Sequence, residues 1–145
     1  MRNIRQANEE DWPRLKVLIG WACKELFDEY CQSRLDLDIE RIVSSCLLNK
    51  LGVWVLEDEH AMVQGYICWT GHANGEVVIG AGTYLIPSLR GHKYSDDLRN
   101  VASVFWKDKG FRKVQGVVAQ GNIAGWESAE RNGFKVVGYA LEKVL

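Results

Sequence analysis

Proline and long apolar runs are scarce in this sequence. The 145 residues include two prolines and fourteen glycines, which argues against a proline-rich or low-complexity chain. No apolar run approaches the roughly 18 residues that a membrane-spanning helix needs. The first ten residues lack the apolar stretch of a secretory signal, so we expect a cytoplasmic protein without membrane partners. The length predicts one domain over residues 1–145.

Cysteine motifs and metal-ligand motifs are also missing. The four cysteines are Cys23, Cys31, Cys46 and Cys68. No pair has C-x-x-C spacing, and none lies at a zinc-finger distance from a histidine. His60 and His72 could join Cys68 at a metal, but neither their spacing nor a further ligand supports such a site. We therefore expect reduced thiols and no bound metal.

Neither sign of charge is in excess, because 18 basic and 19 acidic residues give a formal net charge of -1. We therefore expect no nucleic-acid partner held by excess positive charge. The charges are unevenly distributed along the chain. Residues 1–40 carry nine acids and six bases, whereas residues 87–145 carry six acids and ten bases. This asymmetry favours an anionic ligand at the C-terminal part and a cationic one at the N-terminal part.

Hydrophobic periodicity changes from helical to strand-like and back along the chain. A short strand at residues 4–7 precedes two helices, the first after Asn8 and the second after Asp36 or Asp38. Further strands are predicted at residues 53–56, 61–70, 76–86, 113–119 and 134–144, with a helix capped by Ser95 and another from Asn122 to Arg131. This order predicts an α/β fold, with a mixed central sheet of about six or seven strands and helices on both faces.

The stretch at residues 84–95 carries the clearest functional signal. It joins a strand to a helix inside a strand–helix–strand crossover over residues 76–119, which predicts parallel strands. Such a loop presents backbone N–H groups at a helix N-terminus and can bind an anion. Arg90, His92 and Lys93 add positive charge there.

The motifs in and after this loop resemble those of the GNAT superfamily of acetyl-CoA-dependent N-acetyltransferases. Pro87, Arg90 and Gly91 match the family's Pro-x-x-Arg-Gly-x-Gly-x-Gly loop, which wraps the pyrophosphate of coenzyme A. Asn122 stands twelve residues before Phe134 of a Gly-Phe pair, a second family feature. The resemblance spans essentially the whole chain.

The resemblance implies a GNAT-like domain that transfers an acetyl group from acetyl-CoA, its co-substrate, to a primary amine of a small molecule or a protein. In the family, the pantetheine arm pairs with the strand before the loop, which is splayed from its neighbour. The positions implied to bind the cofactor are Tyr84, Leu85, Arg90, Gly91, His92, Lys93, Tyr94, Ser95 and Asn122. Glu76 is the candidate catalytic base, directly or through water, and its alternative is a solvated residue after a turn.

Several positions depart from the family pattern. Lys93 and Ser95 replace loop glycines, and Asp96 and Asp97 place acids at the helix N-terminus. Ala129 stands where the family often has a tyrosine that protonates the leaving thiolate.

These departures leave a second function open, a GNAT-fold binding or structural module without catalysis, as in virus-encoded relatives. If the chain is an enzyme, Tyr94 and Tyr139 are candidates to replace the missing acid. The apolar segment at residues 136–144 is in addition a candidate for pairing with a second copy of the chain.

Overall fold

Apolar side chains alternate between two faces along the central strands. The computed structural model describes residues 2–27, 52–118, 121–139, 141 and 143–145. Val53 and Val55 pack on one face of the sheet, whereas Trp54 and Leu56 pack on the other, and all four are buried. A sheet that is apolar on both faces needs a covering layer on each.

Five strands form one sheet within the described residues. They are β1 Asn3–Gln6, β2 Val53–Glu57, β3 Val63–Gly71, β4 Val77–Leu85 and β5 Lys113–Gln115. Their spatial order is β1-β2-β3-β4-β5, and β4–β5 is the parallel pair among antiparallel ones. The described α-helices are α1 Trp12–Phe27, α2 Tyr94–Asp108 and α3 Ile123–Arg131, and 3-10 turns cover Glu9–Asp11 and Pro87–Leu89.

Helices cover both faces, as predicted. On one face, α1 packs Leu15, Leu18, Ile19, Ala22 and Cys23 against strand residues that include Tyr66 and Tyr84. On the other, α2 packs Leu98 and Ala102 against strand residues that include Ile67, Trp69 and Val78. The predicted crossover is also confirmed, since α2 connects β4 to β5 along the chain and these two strands pair in parallel.

The predicted number of six or seven strands is not confirmed. The strand expected at residues 134–144 is not formed in the described part of that segment, and β5 ends at Gln115 rather than at residue 119. A strand needs a neighbour for its backbone groups, and the three residues of β5 offer little length for pairing. The predicted helix after Asp36 or Asp38 lies outside the described residues, as does residue 119.

Candidate functional site: an opening between two strands

The parallel strands β4 and β5 pair over three residues and then separate. Residues 77–79 lie beside residues 113–115, whereas the pairing of β4 with β3 continues to Leu85. From Gly80 onward, no described strand lies along the outer edge of β4. This agrees with the splayed strand that the family resemblance implies before the loop.

A bulge in β4 marks the start of this opening. Trp69 pairs with Gly80 and the preceding residue of β3 pairs with Gly82, so Ala81 is the extra residue. Gly82 has a φ of +143°, a conformation that residues with a side chain rarely adopt. A Cβ on Gly82 would lie 3.9 Å from the Tyr66 hydroxyl. Gly80 and Gly82 therefore place no side chain at the start of the opening.

Alternate residues of β4 turn their backbone groups toward the opening. The Ile86 N–H donates to the Gln64 carbonyl at 3.0 Å, so the backbone groups of Ile86 face β3. By the alternation of an antiparallel pair, those of Tyr84 also face β3, and those of Leu85 and Thr83 face the opening. Of the two predicted positions, Leu85 thus lines the opening with its backbone, while the Tyr84 ring packs into the α1 core. Thr83 was missed because the motif does not show strand orientation.

The loop after β4 brings successive backbone N–H groups to the start of α2. Gly91 (φ +82°) and Lys93 (φ +64°) adopt left-handed conformations and turn the chain into the helix. The N–H groups of residues 91–96 have no acceptor among the described residues. Free amides at a positively polarised helix N-terminus form a site for an anion.

Helix α2 begins one residue before the predicted cap. Lys93 is the N-cap residue and Tyr94 is the first helical residue, so the prediction of Ser95 as the cap was wrong. The left-handed conformation of Lys93 ends the loop before Ser95 is reached. His92 and Lys93 are exposed, while Tyr94 and Ser95 are half-buried in the first turn. These predicted cofactor residues are therefore close together.

The side chain of Arg90 is held between α1 and β4. Its two terminal nitrogens donate to the Glu25 carboxylate at 2.5 and 2.8 Å, and its Nε donates to the Leu85 carbonyl at 3.0 Å. The guanidinium also lies 5.3 Å from the centroid of the Tyr84 ring. The hydrogen bonds from Arg90 lower the pKa of Glu25, and burial raises the pKa of Tyr84. Three of the five guanidinium donors are therefore occupied within the protein.

The Asp96 carboxylate, in the first turn of α2, is turned toward α3. Asp96 accepts a hydrogen bond from Asn132 Nδ2 at 2.9 Å and lies 3.4 Å from the Arg131 guanidinium. These contacts lower its pKa, with the Asn132 bond as the largest cause. Arg99 lies 3.8 Å from Asp96 and donates to Ser128 Oγ at 2.6 Å. The negative charge of Asp96 is thus opposed by two guanidinium groups.

Asn122 caps helix α3. Its Oδ1 accepts a hydrogen bond from the Gly125 N–H at 2.9 Å, as expected of an N-cap residue. Ala129, on the same helix, is 7% exposed, so the position at which the family often has a tyrosine is closed by packing.

Glu76 lies at the far end of β4 from the loop. It is exposed, its N–H donates to Asn74 Oδ1 at 3.0 Å, and its carbonyl accepts from the Arg112 N–H at 2.9 Å. From Glu76 to Gly80 the strand advances four residues, roughly 13 Å at about 3.3 Å per residue.

Metal ligands do not converge in the described part of the chain. No group of three or more His, Cys, Asp or Glu residues there could hold a metal ion. Cys68 is buried, whereas His60 and His72 are exposed in turns. None of the described helices is long and apolar enough to span a membrane.

Solved acetyltransferase structures match this chain over nearly its full length, although no family model and no curated protein matches the sequence. The PaiA N-acetyltransferase of Thermoplasma acidophilum, in complex with coenzyme A, is 21% identical, with a TM-score of 0.76 over 94% of this chain and 91% of its own. A GNAT-family acetyltransferase of Staphylococcus aureus is 18% identical, with a TM-score of 0.77 over 93% and 85%. An aminoglycoside N-acetyltransferase, in complex with a bisubstrate analogue built on CoA, is 17% identical, with a TM-score of 0.69 over 100% and 98%.

These similarities rest on structure at low sequence identity, and they show the fold alone. The chain has the fold of the GNAT acetyltransferases.

Proposed function

We propose that this chain is an N-acetyltransferase that binds acetyl-CoA in the opening between β4 and β5 and transfers the acetyl group to a primary amine. The observation that carries the proposal is the separation of the two strands after Ile79 and Gln115. It leaves the backbone of Thr83 and the Leu85 N–H at an open strand edge, while Arg90 Nε occupies the Leu85 carbonyl. An extended ligand with amide groups can bind such an edge as an added strand.

The loop supports the placement of the cofactor phosphates. The N–H groups of residues 91–96 offer donors for pyrophosphate oxygens, and the exposed Lys93 and His92 add side chains beside them. The Glu25 carboxylate opposes the charge of Arg90, so Arg90 contributes chiefly by fixing the loop. The residues present therefore fit a diphosphate ligand.

The chemistry proposed is direct attack of the amine on the thioester. When bound, acetyl-CoA supplies the activated acyl group. Backbone N–H groups beside the bulge at Ala81 polarise its carbonyl. Glu76 remains the proposed base, and at roughly 13 Å from Gly80 it would need a chain of several waters to take the proton.

The acceptor is proposed to be a small-molecule or protein amine. Support comes from the structural similarity to an aminoglycoside N-acetyltransferase and from the acidic N-terminal part of the chain. Pairing of residues 136–144 with a second copy also remains a proposal, supported by the exposure of Val137, Tyr139 and Leu141.

The alternative, a GNAT-fold binding module without catalysis, is favoured by one observation. Ala129 is buried and offers no phenol where the family often has one. A module of this kind would bind its ligand without turnover.

Two measurements test the proposal and separate it from the alternative. Calorimetry with acetyl-CoA measures binding, and release of free thiol in the presence of amines measures transfer. We expect binding and amine-dependent thiol release. At 100 times its Kd, the ligand should stabilise the fold by about 2.7 kcal/mol. Binding without release would support the binding module, and no binding at all would reject the proposed acetyltransferase.

A further inference from the structure

The two strands of the opening separate at a pair of glycines. The last paired residues of β4 and β5 are Ile79 and Gln115, so Gly80 and Gly116 are the first residues beyond the pairing. A Cβ on Gly116 would lie 3.7 Å from the Gly80 carbonyl oxygen and 3.9 Å from the Gly80 Cα. The start of the opening is therefore narrow, and these two residues contribute only backbone atoms to it.

Trp69 closes the space beside Gly80 on the side of the sheet that α2 covers. A Cβ on Gly80 would lie 3.5 Å from Trp69 Nε1, 3.6 Å from Trp69 Cδ1 and 3.6 Å from the Gln115 carbonyl oxygen. These are ordinary van der Waals distances, so the space accepts one carbon atom without displacing its neighbours. Gly80 itself is half-buried, so the space is partly open to solvent. A longer group in the same direction would meet the edge of the indole ring.

The indole of Trp69 is held in place by its neighbours. Trp69 is 6% exposed and packs in the core beneath α2. Its carbonyl accepts a hydrogen bond from Trp106 Nε1 at 3.1 Å, and its ring lies edge-to-face with the Phe134 ring at a centroid distance of 6.4 Å. Because a close-packed core resists displacement of its side chains, the indole is a fixed boundary of the space.

We propose that Trp69 restricts the acyl donor to an acetyl group. This inference rests on the proposed function. The thioester carbonyl is proposed to lie at the backbone beside Ala81, whose Cα is about 3.8 Å from that of Gly80. The methyl group of an acetyl donor then fits the space beside Gly80, whereas each further methylene would have to displace the Trp69 indole. One extra methylene in an apolar pocket is worth about 10–200-fold in kcat/KM.

The first test compares acyl donors on the native protein. Thiol release from acetyl-CoA, propionyl-CoA and butyryl-CoA is measured with kanamycin, spermidine and a lysine-containing peptide as amines. We expect kcat/KM to fall by roughly 10–200-fold from acetyl-CoA to propionyl-CoA, and further with butyryl-CoA. In calorimetry, butyryl-CoA should bind about tenfold more weakly than acetyl-CoA. Equal use of the three donors would overturn the proposal.

The variant Trp69→Leu removes the edge of the indole and should widen the range of donors. The ratio of kcat/KM for acetyl-CoA to that for butyryl-CoA should fall by roughly tenfold or more, and the affinities for the two donors should converge. Trp54→Leu is the matched control, because Trp54 is 3% exposed in the same core but lies in β2, which β3 separates from β4.

The control should lose stability in urea unfolding and keep the native ratio of donors. Since the ratio is measured within each variant, an unfolded fraction lowers both rates and leaves the ratio unchanged. A native ratio in Trp69→Leu would show that the indole serves structure alone and would overturn the proposal.

The variant Gly80→Ala fills the same space from the opposite side. Gly80 is not among the glycines of positive φ, and the added methyl group makes ordinary contacts, so the fold should be unaffected. We expect native affinity for CoA in calorimetry and a kcat/KM with acetyl-CoA that is roughly tenfold lower or more. Gly20→Ala, on α1 with no atom within 4 Å of the added Cβ, should leave both quantities unchanged. Native turnover of acetyl-CoA by Gly80→Ala would contradict the placement of the methyl group.

Failure of the inference and failure of the proposed function give different results. If the native protein turns over acetyl-CoA and the longer donors equally well, Trp69 sets no limit and the proposed function stands. If the native protein shows background turnover with every donor and all three amines, the proposed function fails, and the role of Trp69 fails with it.

Discussion

Arg90 and Glu25 join the loop between β4 and α2 to helix α1 through two parallel hydrogen bonds of 2.5 and 2.8 Å. The side chains are 41% and 46% exposed, so water and salt screen the pair and its contribution to folding is small. Its main effect is positional, because the same loop carries the free N–H groups of residues 91–96. We therefore expect Glu25 to affect the proposed anion site without lying in it.

The variant Glu25→Gln separates positioning by Arg90 from direct phosphate contact. If Arg90 acts by fixing the loop, Glu25→Gln and Arg90→Ala should both weaken acetyl-CoA binding. The expected loss is about two- to fivefold, corresponding to roughly 0.5–1 kcal/mol for an exposed pair. Calorimetry measures it, and the exposed Glu10→Gln serves as control. A higher affinity in Glu25→Gln would mean that the released guanidinium binds phosphate.

Lys93 combines a backbone role with a charge, and substitutions can separate the two. Its φ of +64° costs roughly 1–2 kcal/mol for a residue with a Cβ, part of which Lys93→Gly should recover. Lys93→Ala keeps the strained backbone and removes only the charge. In urea unfolding we expect Lys93→Gly to be more stable than Lys93→Ala. Both should bind acetyl-CoA more weakly, with a loss that diminishes at high salt. Equal stability of the two variants would contradict the left-handed conformation.

The layers of the fold could be predicted because burial leaves a local pattern in the sequence. Residues 53–56 are apolar without interruption, which indicates a strand buried on both faces, and the structure confirms it. Gly80 and Gly82 lie in one strand, a pattern typical of a bulge or a close approach, and β4 has the bulge. The crossover between β4 and β5 was predictable for the same reason, since strand and helix periods alternate there.

Contacts between distant residues left no such pattern. Glu25 and Arg90 are 65 residues apart in the sequence. The sequence around a glutamate on a helix surface is the same whether or not an arginine from another element contacts it. Nor could the motif show that Lys93 keeps a left-handed backbone without being glycine.

Thr70 offers a test of an unpartnered hydroxyl. Its Oγ1 is buried and has no hydrogen-bond partner among the described residues, and Thr70 pairs with Ile79 where β4 and β5 begin to separate. An unsatisfied buried polar group costs about 1–3 kcal/mol. Thr70→Val keeps the shape and removes the hydroxyl, so the free energy of unfolding should rise by about 1 kcal/mol. Thr83→Val, at a half-buried site on the adjacent strand, should show no such gain. A loss of stability in Thr70→Val would show that the hydroxyl has a partner, such as an ordered water.

The acid stability of the fold should depend on Asp11. This residue is 7% exposed and accepts two hydrogen bonds from the Arg5 guanidinium, at 2.8 and 2.9 Å, and one from the Asn8 N–H at 2.7 Å. The bond from Arg5 is the largest cause of the lowered pKa of Asp11. A carboxyl whose folded pKa lies below its unfolded value, about 3.9, stabilises the protein fully above that pH. The contribution is lost as the pH falls through the folded pKa.

The variant Asp11→Asn should therefore be less stable than the native protein by about 2 kcal/mol at pH 7, the scale of hydrogen bonds to a charged group. Because the contribution disappears in acid, the difference between the two proteins should shrink as the pH is lowered from about 4. Urea unfolding at several pH values measures both effects. Glu10→Gln, at an exposed site in the same turn, should leave the stability curve unchanged. A difference that stays constant down to the lowest pH would contradict this prediction. It would mean that the Asn side chain destabilises the fold through its packing or geometry rather than through the lost charge. The ion pair with Arg5 would then not govern acid stability.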